Sequence, residues 1–136
     1  MNAGEHKNLS VWRFEHLQGW LDWLEFNHDS HISGIWVQLA KKGKDTQTIT
    51  YNDVREGALC YGWIDSVANK QDEIFYLLKV TPRRPKSVWS KINVALCEQY
   101  ILEGKMKPSG LQQVNAAKAD GRWALAYGTG ENPKRI

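Results

Sequence analysis

The chain has little cysteine. Two thiols in 136 residues, Cys60 and Cys97, stand far apart, with no CxxC pair and no HExxH run. That excludes a disulfide framework and the usual zinc spacings. The four histidines, His6, His16, His28 and His31, do not supply a metal-binding pattern either, so no metal and no cofactor are expected. No GxSxG, no P-loop and no dinucleotide-type glycine run occurs, which removes the common nucleophile and phosphate-cradle signatures. Long apolar runs are absent, so no membrane span is expected, and the N-terminus lacks a basic-then-apolar leader. Both thiols read as buried hydrophobes in a reducing compartment, and the expected location is cytoplasmic. Cys60 falls at a helix C-terminus, where the dipole disfavours the thiolate, so it is not a catalytic candidate.

Proline is also scarce, and that makes its placement informative. Two of the four prolines lie three residues apart, in Thr81-Pro82-Arg83-Arg84-Pro85-Lys86-Ser87-Val88-Trp89-Ser90-Lys91-Ile92-Asn93. The stretch carries cations, a tryptophan and no acid. Pro82 and Pro85 fix φ and predict a stiff extended connector from Thr81 to Lys86. Ser87 is the expected N-cap, with Trp89, Ile92, Leu96 and Tyr100 on one helical face and Gly104 as the stop. A rigid basic loop leading into a helix N-terminus suits an anion. The plain alternative is a solvated basic face.

What the chain has in excess is tryptophan: seven, with a net charge of +3. So many rings can fill a core, and they also raise the prospect of an aromatic surface. The charge permits anionic partners without demanding them.

Along the chain, residues 1–10 read as a loose polar N-terminus. Phe14, Leu17, Leu21 and Leu24 predict a helix from about Trp12 to Phe26. Gly34 to Ala40 alternates as a strand. Thr50-Tyr51-Asn52-Asp53 has the form of a capping box opening a helix to about Tyr61, with Gly62 after its end. Val67 to Glu73 reads as a polar turn and Ile74 to Val80 as a strand. Pro108 opens a last helix carrying Leu111, Val114 and Ala117. The expected fold is α+β, a small antiparallel sheet covered by four or so helices, in one domain over 11–127 with a flexible tail over 128–136.

Asp65 stands alone among apolar neighbours, where a carboxylate needs a partner. Arg83 and Arg84 are the nearest dense source of donors, and a bidentate bond to one of them is expected; a simple turn-capping role is the alternative. Adjacent residues of an extended segment point to opposite sides, so one arginine should face inward and the other outward.

The runs Ala58-Leu59-Cys60-Tyr61-Gly62-Trp63-Ile64-Asp65, Thr81 to Asn93 and Lys118-Ala119-Asp120-Gly121-Arg122-Trp123 resemble the YdeI/OmdA family, the bacteriocin-protection or OmpD-associated proteins. Trp23 to His28 and Gly34-Ile35-Trp36 fit as well. The resemblance implies resistance to antimicrobial peptides or bacteriocins and association with a porin. It brings no reaction, cofactor or catalytic residue. Members of that family continue past Asp-Gly-Arg-Trp into a basic helical segment, whereas here a Gly-rich stretch follows.

The leading expectation is a binding module with a cationic-aromatic site of Trp63, Asp65, Arg83, Arg84, Lys86, Trp89 and Asn93. Its ligand would be an anionic small molecule, a nucleic-acid strand or an acidic protein surface. One rival is an enzyme with Asp65 as acid or base and the two arginines as a substrate clamp. Another is an interaction domain that docks a partner through exposed tryptophans of its first helix.

Overall fold

A computed structural model of the chain describes residues 1–129, and the expected tail from 130 onward lies outside the described residues. The fold is α+β, with five strands in one mixed sheet and four helices among the described residues. The chain forms two compact units. The first takes Met1–Ala58 and Trp63–Pro82; the second takes Leu59–Gly62 and the chain from Arg83 on.

The first unit holds the sheet. Strands β1 (Asn2–His6) and β2 (Leu9–Trp12) pair antiparallel, and helix α1 (Leu17–Asn27) leads to β3 (Ile35–Ala40), which runs parallel to β2. Helix α2 (Tyr51–Cys60) follows, then β4 (Trp63–Lys70) and β5 (Phe75–Pro82), antiparallel to each other, with β5 antiparallel to β3. The order is β1-β2-β3-β5-β4.

The N-terminus is therefore not loose. Its polar residues sit on an outer strand, where polarity is tolerated, and Lys7 and Asn8 take positive φ to make the tight turn. The expected start of the first helix also moves. Trp12 ends β2, and the helix begins at Leu17. The expected turn over Val67 to Glu73 is partly strand, because β4 continues to Lys70 through an irregularity between Asp65 and Ala68.

Ile35, Val37 and Leu39 of β3 share a face with Val80, Leu78 and Tyr76 of β5, by direct pairing. Trp12, paired with Val37, belongs to that face and meets Trp23 of α1 with ring centroids 5.6 Å apart. Trp23 also meets the ring of Trp63 edge-on at 5.9 Å. Trp20 is fully buried against α2, donating its indole N–H to the Val54 carbonyl at 3.1 Å. Gly57 makes that approach possible, since a Cβ there would lie 2.4 Å from the Trp20 ring nitrogen. On the opposite face, Val11, Trp36 and Leu77 form a cluster lined by Ala3 and Leu9. His6 of β1 lies 3.0 Å from Asn69 of β4, so side chains of the two edge strands meet and the sheet is curled.

The tryptophans consequently build core. Trp20, Trp23, Trp36, Trp63 and Trp89 are buried, and Trp12 and Trp123 are half-buried. The expectation of an exposed tryptophan patch on the first helix is corrected by this finding: the rings pack on each other and on the sheet, and only Phe26 near the end of α1 is left exposed.

The second unit holds α3 (Lys91–Leu102) and α4 (Pro108–Ala119). Pro108 occupies the first turn of α4 as the sequence predicts. The Lys107 amide donates to the Cys60 carbonyl at 3.0 Å and the Ser109 hydroxyl to the Tyr61 carbonyl at 2.9 Å. The end of α2 thus has its orphan carbonyls satisfied by the start of α4. Gly62 takes φ +79° there. At Gly110 a Cβ would fall 2.2 Å from the Cys60 carbonyl oxygen, so only glycine fits.

Candidate functional site

The basic stretch is not extended throughout. Thr81 and Pro82 complete β5, and the chain then turns, with the Ser87 amide donating to the Arg84 carbonyl at 3.1 Å. Pro85 fills the second position of this turn and Lys86 the third, with φ +63°. Proline followed by positive φ is the type II pattern, which normally recruits glycine. Holding a lysine there costs on the order of 1 kcal/mol.

The cap also lies later than expected. Ser90, not Ser87, caps α3, its hydroxyl accepting from the Asn93 amide at 3.2 Å. Trp89 therefore precedes the helix, and the buried residues of α3 are Asn93, Cys97 and Tyr100: Tyr100 is as predicted, while Asn93 and Cys97 each lie one position after the predicted Ile92 and Leu96.

Arg83 is the inward arginine and Arg84 the outward one. The Arg83 side chain is buried, and its guanidinium carbon lies 3.6 Å from the centroid of the Trp89 ring. Its Nη1 donates to the Ser87 hydroxyl at 2.9 Å and to the Val88 carbonyl at 3.3 Å. Stacking of this kind is worth about 2 kcal/mol when desolvated. A second arginine braces the same loop. Arg122 donates through Nη1 to the Ser87 carbonyl at 2.7 Å and through Nε to the Asp120 carboxylate at 2.8 Å. The Arg122 guanidinium holds the Asp120 carboxyl below its ordinary value. Trp89 and Trp123 meet at 4.9 Å, and the Tyr127 amide donates to the Trp89 carbonyl at 3.1 Å.

Arg84 and Lys86 are exposed on this braced turn. Among the buried groups behind it, the Trp89 indole N–H and the Asn93 amide oxygen make no hydrogen bond within the described residues. Cys97 lies on the same buried stripe as Asn93. Burial pushes its thiol up to about 12, against the opposing pull of the Arg83 charge. Cys60 and Cys97 are both buried and are not joined in a disulfide.

The other two sequence candidates belong to the first unit. Trp63 is buried and donates its indole N–H to the His28 carbonyl at 3.2 Å. Asp65 accepts the Tyr51 hydroxyl at 2.8 Å. Beside it is a residue that periodicity did not flag. Arg55 is buried on α2, donates to the Asn52 amide oxygen at 3.2 Å, and holds its guanidinium 5.2 Å from the Tyr51 ring centroid. Tyr51 and Asn52 stand four and three residues before Arg55, the two spacings that bring side chains together on a helix, and that pattern was open to reading. Asp120 and Arg122 were legible only as part of a motif, without a role.

Among the described residues, no group of three or more His, Cys, Asp or Glu is placed to hold a metal ion. No helix among them is long and apolar enough to cross a membrane.

Comparison with known proteins yields no matching curated protein and no matching solved structure. One family model matches residues 12–113, a stretch that takes in the sheet from Trp12 onward, the Arg83–Trp89 loop, α3 and the start of α4. The chain belongs to the family of that model, a domain of unknown function, DUF8412.

Proposed function

We propose that the second unit is an anion-binding module whose contact surface is the Arg84-Pro85-Lys86 turn. One observation carries this reading: two arginines, the buried Arg83 and the partly buried Arg122, brace a loop that displays two further cations outside. The lysine of that display sits in a strained backbone conformation, a feature that clusters at ligand clamps.

In this reading the ligand is held by charge and not by stacking. The face of Trp89 is occupied by Arg83, and its ring packs on Trp123, so Trp89 offers no open platform for a base. The expected single-stranded nucleic acid is therefore a weaker fit than a phosphate-bearing or acidic ligand. The enzyme alternative has less support: the Asp65 carboxylate accepts from Tyr51, and Arg83 is engaged with Ser87, Val88 and Trp89. The finer assignment, a cytoplasmic YdeI/OmdA-type protein protecting against bacteriocins or antimicrobial peptides, rests on the sequence runs quoted above and remains part of the proposal.

The test is a titration at low salt with inorganic phosphate, polyglutamate and a single-stranded oligonucleotide. Expected is binding of the first two that weakens as the ionic strength rises through the range where the Debye length shrinks to about 10 Å. Removing Arg84 and Lys86 together should abolish it. Binding that survives that double change would show that the anion sits elsewhere.

A further inference from the structure

The braced loop carries apolar side chains as well as cations. The segment through Ser90 pairs with Tyr127, the Lys91 amide donating to the Tyr127 carbonyl at 2.7 Å, so two stretches of chain lie side by side. From them Val88, Leu125 and Tyr127 project with 73%, 83% and 61% of their surface exposed. Arg84, Lys86, Lys91 and Lys118, all exposed, stand on the same stretches or the adjoining helix, with the Lys118 ammonium 5.4 Å from the Trp123 ring centroid. The nearby acid, Asp120, is engaged by Arg122.

We infer that this surface docks on an anionic lipid bilayer, with Val88, Leu125 and Tyr127 entering the interface and Arg84, Lys86 and their neighbouring lysines meeting the headgroups. The inference rests on the anion-binding reading and names its partner. The degree of exposure separates a bilayer from a peptide. A groove for a peptide half-buries its apolar side chains, whereas Val88 and Leu125 keep most of their surface in water, and Tyr127 beside them is an amphipathic aromatic suited to the headgroup level. Apolar insertion and basic attraction are also the two signals that stable peripheral binding requires.

The experiment is co-sedimentation of the full chain with vesicles of phosphatidylglycerol and phosphatidylcholine, against vesicles of phosphatidylcholine alone. Expected is binding to the anionic vesicles only. Changing Arg84→Ala or Lys86→Ala should each weaken it roughly fivefold. Leu125→Ser should weaken it by at least about tenfold, since a leucine is no longer withdrawn from water, while polyglutamate binding stays as in the parent, because no charge is changed. Leu125→Ala serves as a milder check should the polar variant disturb folding, and should still weaken vesicle binding. No co-sedimentation with anionic vesicles, or a Leu125 variant that sediments like the parent, overturns the inference. If polyglutamate binds through Arg84 and Lys86 but vesicles do not, the lipid inference falls and the anion-binding reading stands. If neither binds, both fall. A soluble acidic peptide that binds and depends on Leu125, with vesicles inert, makes the partner a protein.

Discussion

Two buried arginines, Arg55 in the first unit and Arg83 in the second, solve the same problem in opposite ways. Each places its guanidinium near an aromatic ring and donates to partners a few residues away in sequence. Arg55 sits in a helix whose backbone bonds are already satisfied within α2, so the helix holds the arginine. Arg83 sits in a loop, where backbone carbonyls need other donors. It supplies one to Val88, and Arg122 supplies one to Ser87. There the arginine holds the backbone. The difference teaches that the loop's shape, and with it the display of Arg84 and Lys86, depends on side chains and can be undone by one substitution.

The largest expected effect comes from Arg83→Ala. It strips the Ser87 hydroxyl and Val88 carbonyl of a donor and leaves a gap on the Trp89 ring. A loss of about 2–4 kcal/mol is predicted in chemical denaturation. Arg83→Lys should recover only part of it, because an ammonium cannot stack and fork at once. Arg55→Ala is expected to cost somewhat less, about 2 kcal/mol. It should leave the α2 amides as protected, relative to global stability, as in the parent. If the two variants lose stability with the same local pattern, the contrast between them is wrong.

Tyr51→Phe comes next. It removes one hydrogen bond to a half-buried carboxylate, and about 1–2 kcal/mol should be lost. Arg84→Ala should change stability by no more than about 0.5 kcal/mol, as for other surface changes, while weakening polyglutamate binding. Equal melting together with equal binding would reduce the turn to a solvated basic face.

Alkaline pH sharpens the comparison from the side of the second unit. The folded state raises the Cys97 thiol from an ordinary value of 9.0 to about 12. The unfolded chain therefore releases this proton first, and stability should fall as pH rises through 9 toward 12. Arg83 acts against that rise, so in the Arg83→Ala variant the fall should keep the same slope and run on to higher pH. Denaturation midpoints at pH 8 and pH 10 check the sign.

How much of this was legible depended on whether a signal was local. The capping box was: the Asp53 carboxylate accepts from the Thr50 amide at 3.0 Å and the Thr50 hydroxyl from the Asp53 amide at 3.2 Å. Gly62 and Pro108 kept their predicted places for equally local reasons, a positive φ and an N–H that a first turn does not need. The β1–β2 pair escaped because both strands are short, β1 is polar, and the turn between them runs through non-glycine residues. The stripe of α3 was placed correctly at Tyr100 and one residue early before it, because a polar Asn93 stands within it and Trp89 mimicked a helical position. For the arginines, alternation required one to face each way; which one turned inward was decided by Ser87, Val88 and Trp89 together, a set that forms only once the loop has turned.

The most direct test of that loop is hydrogen exchange at the Ser87, Lys91 and Tyr127 amides, which bond to Arg84, Tyr127 and Trp89 carbonyls. In Arg83→Ala these three should exchange faster than the loss of global stability requires, while in Arg55→Ala they should slow or quicken only with global stability. Protection of all three that tracks global stability in Arg83→Ala would contradict the claim that Arg83 holds the loop.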